Sequence, residues 1–208
     1  SILRTNPNLH TLQLAQCKPA LKPHLADLIR QAAGLKTLSV AGSLFNDQSA
    51  ATLSRNSSIV TLDMSGTSLS NTGLAAIAKM HQLIHLDISL TKVTGEGLHL
   101  IGLLENLETL DLRRCKNPHS FEPLTSLKKL RELDVSNTAD LTDVHLRHIA
   151  KISSLKKVLF FGCPRITADG VKHLLKALPK AEIHVGINQL GALNCAQLTQ
   201  QYPSLTAS

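Results

Sequence analysis

Aromatic residues are nearly missing from this 208-residue chain, which has no Trp, one Tyr and four Phe, together 2% of its residues. The chain therefore lacks the aromatic platforms on which single-stranded nucleic acids stack. Its 43% hydrophobic content rests instead on aliphatic side chains, 39 of them Leu, against 18% charged residues. This balance predicts a folded protein, and the length predicts one domain or one repeat array. A core of one repeated aliphatic residue favours the array.

Long apolar runs and catalytic motifs are also missing. Uninterrupted apolar stretches such as Val158 to Phe161 are far shorter than the roughly 20 residues that cross a bilayer, so we expect no membrane insertion. No H-E-x-x-H, G-x-S-x-G, Walker loop or C-x-x-C pair is present. These absences predict a noncatalytic protein with no cofactor, no metal and no small-molecule substrate.

One frame of the form LxxLxLxx recurs seven times. The first copy is Leu9-His-Thr-Leu-Gln-Leu-Ala-Gln, and its successors start 26, 24, 24, 24, 23 and 25 residues further on each time. The seven copies start at Leu9, Leu35, Ile59, Leu83, Leu107, Leu130 and Leu155. A degenerate eighth copy follows at Ile183 and Val185, and Tyr202 to Leu205 resembles the start of a ninth. We therefore expect a single domain over 1–208, with full repeats over about 9–180 and a degenerate C-terminal cap over about 181–208.

A second pattern occupies the segments between these copies. In Leu69 to Met80 and Val93 to Leu104, apolar residues three apart indicate one buried helix face. Helix N-caps are predicted at Ser70, Thr94, Thr142 and Thr167. Two prolines in the segment from Lys116 to Pro123 predict a shorter or 3₁₀ turn there.

With these residues the chain resembles the leucine-rich repeat family, and within it the ribonuclease-inhibitor-like and cysteine-containing, F-box-associated subtypes. The phrases Leu141 to Ile149 and Cys163-Pro-Arg-Ile-Thr-Ala-Asp-Gly-Val are similar to the C-x-x-I-T-D-x-G-L signature of the latter. The resemblance implies an α/β right-handed solenoid of about seven to eight repeats, with a parallel sheet on its concave side and helices on its convex side. It also implies a protein-recognition surface, in some members the substrate-binding part of a ubiquitin-ligase receptor or an effector protein.

The cysteines and histidines favour structural roles. Cys17, Cys115 and Cys163 occupy one frame position that holds Thr in three other copies. Since Cys115 and Cys163 are two repeats apart, we expect them to lie about 10 Å apart, too far for a disulfide. Reduced cysteine predicts an intracellular, cytoplasmic location, or delivery into a host cytosol by a bacterium. His145 and His148, near Asp143, are the best metal-ligand pair, but they lack further ligands, so a solvated helix face is the preferred interpretation.

Strand alternation assigns the side chains of the concave face, the side of the sheet turned away from the helices. Four aspartates share one column: Asp63, Asp87, Asp111 and Asp134. The flanking columns add His85, Glu132 and Lys157 on one side and Arg113 on the other, beside Ser65, Ser89 and Ser136. Repulsion within the column should raise some of the Asp pKa values and favour a cation, either Arg113 or a basic partner segment. The alternative, which we call the repeat-habit interpretation, is that Asp at this frame position is a structural feature of the repeat and accepts hydrogen bonds from nearby hydroxyls.

The column ends in Leu159, with Phe161 beside it. Two exposed apolar groups rimmed by cations would form an interface anchor. The competing interpretation is that the segment from Gly186 to Pro203 folds over them.

The net charge of +7 adds one more candidate surface, because Lys172, Lys176 and Lys180 recur every fourth residue along one predicted helix. A solvated face is the preferred interpretation of these lysines, ahead of a surface for nucleic acid. The sequence thus predicts a module that binds a protein partner through its concave face. A nucleic-acid scaffold using the late lysines and a structural spacer in a larger assembly are the alternatives.

Overall fold

The structure, a computed structural model, describes residues 8–16, 32, 34–114, 116, 120–186 and 198–207. It contains one sheet in which nine strands lie side by side in chain order, every neighbouring pair parallel. The strands are β1 (Thr11–Gln13), β2 (Thr37–Ser39), β3 (Thr61–Asp63), β4 (His85–Asp87), β5 (Thr109–Asp111), β6 (Glu132–Asp134), β7 (Lys157–Leu159), β8 (Glu182–Val185) and β9 (Leu205–Ala207). The seven predicted copies, the degenerate eighth and the start of a ninth therefore each supply a strand.

The core lies behind the sheet and is made by the apolar positions of the frame. In the third repeat these are Ile59, Leu62 and Met64, none more than 1% exposed. The same three positions are buried in every repeat from the second to the seventh, ending with Phe160. One continuous cluster joins these side chains to the buried faces of the helices. The predicted layers, a parallel sheet with helices behind it, are confirmed.

Helices return the chain from one strand to the next. They are α1 (Asp47–Leu53), α2 (Asn71–Ile77), α3 (Leu98–Ile101), α4 (Asp143–Ile149) and α5 (Ala168–Ala177), with 3₁₀ helices at Gly95–Gly97 and Glu122–Ser126. The second 3₁₀ helix confirms the prediction for the proline-containing segment. The helix predicted between Val93 and Leu104 is present with its buried face at Leu98 and Ile101, but it consists of a 3₁₀ turn followed by a single α turn. Glycines 95, 97 and 102 weaken regular helix formation there.

The four predicted N-caps all lie at helix starts. Ser70 Oγ accepts a hydrogen bond from the Thr72 N–H at 3.2 Å, and Thr167 Oγ1 accepts one from Gly170 at 3.3 Å. At Thr142 the backbone N–H donates to Nδ1 of His145 at 3.0 Å. Thr94 precedes the 3₁₀ helix without a side-chain capping bond. Local hydrogen bonding therefore fixes where most of the helices begin.

A hydrogen-bonded relay joins helix starts in successive repeats. Asp47 accepts from the backbone N–H and the hydroxyl of Ser70, at 2.8 and 2.6 Å. Asp143 holds Thr167 in the same way, at 2.9 and 2.6 Å. Asn71 accepts from the N–H of Thr94 at 3.1 Å and donates its amide to the Thr94 hydroxyl at 2.9 Å. The first residue of each of these three helices thus caps the next helix in space.

Candidate binding face of the sheet

The parallel register places the four aspartates of the predicted column on adjacent strands. Asp63 lies opposite Asp87, Asp87 opposite Asp111, and Asp111 opposite Asp134. Leu159 continues the column on β7. Neighbouring strands are about 4.8 Å apart, so the four carboxylates form one short row on the concave face.

A groove of about 350 Å³ runs along this row. Eight of the ten predicted site residues line it: Asp63, His85, Asp87, Asp111, Glu132, Asp134, Lys157 and Leu159. Arg113 and Phe161 lie outside its lining, because they come after the strands have ended. Thr61 and Thr109, which the predicted set omits, also line the groove and share a column with His85. Their shared frame position with His85 is the sequence feature from which both threonines could have been predicted.

Each aspartate also holds the turn that follows its strand. One carboxylate oxygen accepts the backbone N–H two residues further on, at 2.8 to 3.0 Å, from Ser65, Ser89, Arg113 and Ser136 in turn. Asp63 accepts hydroxyl hydrogen bonds as well, from Ser65 at 2.7 Å and from Ser39 at 2.8 Å. The repeat-habit interpretation therefore has a physical basis in this turn. Since one oxygen satisfies the turn, the negative charge of the row remains available to a ligand.

Arg113 bridges three of the four carboxylates. Its Nε lies 2.7 Å from Asp111 Oδ2 and 3.7 Å from Asp134 Oδ2, and its Nη2 lies 3.8 Å from Asp87 Oδ2. The guanidinium side chain is 46% exposed, whereas those of the three aspartates are 20 to 25% exposed. One cation thus neutralises only part of the charge of four carboxylates, which leaves the row with a net negative charge.

Two carboxyl pKa values in the row are raised. Burial raises the pKa of Asp111 to about 6, and the charges of Asp87 and Asp134 add to the rise, against the Arg113 N–H and guanidinium, which lower it. Burial raises the pKa of Asp87 too, with a smaller contribution from the charge of Asp63, against hydrogen bonding from Ser89. The predicted direction is found, but desolvation rather than repulsion is the larger cause.

Parts of the predicted concave surface are less exposed than expected. Ser89 and Ser136 are only 1% and 2% exposed. The chain turns away from the sheet at this position, and Ser136 Oγ accepts the backbone N–H of Phe161 in the next repeat at 3.1 Å. Leu159 and Phe161 are half-buried rather than exposed, because His184 on β8 lies beside Leu159 and its ring sits 6.4 Å from that of Phe161. Most of the segment proposed to cover them, residues 187–197, lies outside the described residues.

The column beside the aspartates mixes hydroxyl, imidazole and charged groups. His85 Nδ1 is 2.7 Å from the Thr109 hydroxyl across the strand pair. Further along, Glu132, Lys157 and Glu182 lie in register, with alternating charge. The groove is therefore acidic along its centre and of mixed charge towards β8.

The cysteine and histidine candidates make structural contacts where they are described. Cys163 is buried and its thiol donates to the carbonyl of Val135 at 3.4 Å, and burial raises its pKa to about 11. Cys17, Cys115 and Cys195 lie outside the described residues. His145 closes the start of α4, and Nδ1 of His148 lies 3.3 Å from the hydroxyl of Ser120. Within the described ranges no cluster of three or more His, Cys, Asp or Glu could hold a metal ion.

Of the late lysines, Lys172 and Lys176 lie on the exposed face of α5, where Lys172 pairs with Asp169 at 3.4 Å. Lys180 lies beyond the helix, in the loop that leads into β8. The three predicted cations therefore do not form one helical stripe.

The sequence and the fold were compared with those of known proteins. Residues 55–78 match the leucine-rich repeat family model. Among solved structures, internalin C2 of Listeria monocytogenes superposes with a TM-score of 0.63 and 25% identity over 86% of this chain and 74% of its own. The fold is a leucine-rich repeat solenoid. No curated protein sequence matches the chain significantly.

Two further solved structures, each less than 25% identical to this chain, share the fold. A leucine-rich repeat protein of Leptospira interrogans gives a TM-score of 0.61 at 22% identity, over 87% of this chain and 44% of its own. TLR13, in a complex with the RNA ssRNA13, gives 0.64 at 17% identity, over 88% of this chain and 26% of its own. The chain thus spans less than half of either. No helix in the described ranges is both long and apolar enough to cross a membrane.

Proposed function

We propose that this leucine-rich repeat solenoid is a noncatalytic module that binds a protein partner through the concave face, and that the partner presents a basic segment. The observation that carries the proposal is the row of Asp63, Asp87, Asp111 and Asp134 along one groove, with Arg113 as its cation. Three carboxylates in excess favour a chain bearing several Lys or Arg side chains.

The two ends of the groove would have different tasks in recognition. The acidic row selects and orients the basic segment, because rows of like charge steer association. Leu159 in the groove and Phe161 just outside its lining, both half-buried beside His184, offer the apolar area against which a partner side chain can pack. Glu132 and Lys157 then discriminate by charge between neighbouring partner positions.

In a narrower form of the proposal, the module is the substrate-binding part of a ubiquitin-ligase receptor or of an effector protein, acting in the cytoplasm or in a host cytosol. Its support is the resemblance of the phrase from Cys163 to Val171 to F-box-associated repeats.

The test removes charge without removing the turn hydrogen bonds. In the triple variant Asp63→Asn, Asp87→Asn and Asp134→Asn, each amide oxygen still accepts its backbone N–H, whereas three negative charges are lost. The control, Glu96→Gln, Glu105→Gln and Asp169→Asn, removes the same charge away from the groove. Affinity for a fluorescent Lys- and Arg-rich peptide is measured for both, and captured cell proteins are identified.

We expect the triple variant to bind the basic peptide at least about tenfold more weakly, since several charge contacts of about 0.5 kcal/mol each are lost. The control should bind as the wild type does, and an acidic peptide of equal length should bind neither protein. Equal affinity of the triple variant and the wild type for the basic peptide and the captured proteins would disprove recognition by the acidic row.

A further inference from the structure

The positive charge of the chain is concentrated on one edge of the sheet. All strands are parallel, so the loops that lead into them meet at the same edge, which we call the N-terminal rim. For β2 to β8 these loops are residues 34–36, 54–60, 78–84, 102–108, 127–131, 150–156 and 178–181. They hold nine of the 22 Lys and Arg but only two of the 15 Asp and Glu, a net charge of +7. The remaining 13 basic and 13 acidic residues cancel.

The cations of the rim are exposed and mostly unpaired with carboxylates. Six of them lie in the last three loops: Lys128, Lys129, Arg131, Lys151, Lys156 and Lys180. Arg131 lies 3.7 Å from Glu108 and Lys151 lies 3.4 Å from Glu122, all with side chains at least 39% exposed. Lys128 and Lys129 donate to neutral oxygens, the carbonyl of Thr125 and the side chain of Asn106. Ion pairing therefore leaves most of this charge available to a ligand.

The shape and composition of the rim match an extended anionic surface. Seven strands spaced about 4.8 Å apart spread its loops over roughly 30 Å. Leu103, 53% exposed, is an apolar side chain among these loops. Seven of the nine cations are Lys, which attract negative charge without the bidentate geometry by which Arg reads phosphates and bases. None of the seven loops contains a Phe, Tyr or Trp on which a base could stack, and His81 is their single imidazole.

We propose that the N-terminal rim docks the protein peripherally on an anionic lipid surface, with the lysines over the headgroups and Leu103 reaching between them. Lysines near such a surface are attracted by its negative potential, and their contributions accumulate. Docking by the rim places the concave face at right angles to the membrane, so the groove stays open to a partner. This surface is independent of the proposed partner site.

The test is cosedimentation of the chain with phosphatidylcholine vesicles, with or without phosphatidylserine. The rim variant is Lys128→Glu with Lys156→Glu. The matched control, Lys92→Glu with Lys172→Glu, makes the same change of charge on the opposite edge and on α5. Circular dichroism first establishes that each variant is folded. A third variant, Leu103→Asn, tests the apolar contact.

We expect the wild type to sediment only with phosphatidylserine vesicles, and its binding to fall when salt screens the charges. The rim variant should partition at least about tenfold less, the control less than about threefold. Leu103→Asn should weaken binding at low and at high salt alike. The proposal would be overturned by equal cosedimentation with and without phosphatidylserine, or by an equal loss of vesicle binding in the rim and control variants. Retention on duplex DNA without vesicle binding would overturn it as well.

Discussion

One backbone position after the core frame has a positive φ angle in every full repeat, which constrains the residue that can occupy it. The second residue after each of the first seven core frames has a positive φ: Gln16, Gly42, Gly66, Leu90, Arg114, Asn137 and Gly162. Only glycine and, less readily, asparagine adopt this left-handed conformation at low cost. Leu90, with φ of 58° and 53% exposure, therefore bears a cost that little burial offsets.

A matched pair of substitutions tests this cost. Leu90→Gly should raise the free energy of unfolding by about 0.5 to 1 kcal/mol, because the relief of backbone strain exceeds the added flexibility of the unfolded chain. Gly66→Ala, at the equivalent position one repeat earlier, should lower it by about 1 kcal/mol. The added Cβ there would lie no closer than 3.6 Å to other atoms, so its effect is conformational. Urea titration measures both, and effects of the same sign would contradict the explanation.

The raised pKa of Asp111 makes a pH-dependent prediction. Because its folded pKa, about 6, exceeds the ordinary 3.8, the folded state binds the proton more tightly, so this residue stabilises the fold at low pH and loses that contribution as the pH rises through about 6. Asp111→Asn should therefore be more stable than the wild type by about 2 kcal/mol at neutral pH. The difference should vanish near pH 4. A difference that stays constant across a pH series of urea titrations would contradict the raised pKa.

At the scale of helices, the relay between repeats explains glycines that helix propensity alone would disfavour. A Cβ on Gly73 would collide with Asp47, and one on Gly170 with Asp143, the residue that caps the next helix. Glycine at the third position of a helix is thus required by a side chain from the preceding repeat. The sequence contains both residues of each pair, but only their placement shows that they touch.

A double-mutant cycle measures this coupling. Gly170→Ala, which usually stabilises a helix by up to about 1 kcal/mol, should here destabilise the protein by about 1 to 3 kcal/mol, because Asp143 must move. Asp143→Ala alone should cost about 1 to 2 kcal/mol through its lost hydrogen bonds to Thr167. In the double variant the alanine at 170 should become neutral or stabilising. Additive effects of the two changes would exclude the contact.

The strands could be predicted from the sequence and the return segments only in part. The frame starting at Ile59 is local, so its three buried positions and the column of Asp63 follow from alternation alone. The contacts of Ser136, Phe161 and Arg113 depend on neighbouring repeats. No local sequence pattern predicts how far the backbone turns after the strand in each repeat. For the same reason, the half-burial of Phe161 beside His184 could not be predicted from the sequence and is seen only in the structure.

At the scale of the whole molecule, the helical layer is uneven. The two repeats after β4 return through 3₁₀ turns and the four-residue α3, whereas α4 and α5 have seven and ten residues. Each repeat of a solenoid contacts mainly its neighbours, so stability is close to a sum of repeat and interface contributions. The middle of the array therefore has fewer regular backbone hydrogen bonds to resist local opening.

Hydrogen exchange followed by mass spectrometry tests this unevenness. Amides in residues 95–104 and 121–127 should exchange at least about tenfold faster than those of α4 and α5, because short 3₁₀ turns open at lower free energy than regular helices. The strands β4 to β6, whose central leucines are at most 2% exposed, should exchange slowly throughout, so that the sheet stays intact while the helical layer behind it opens. Equal protection of the middle and of α4 and α5 would show instead that the array opens as one cooperative unit.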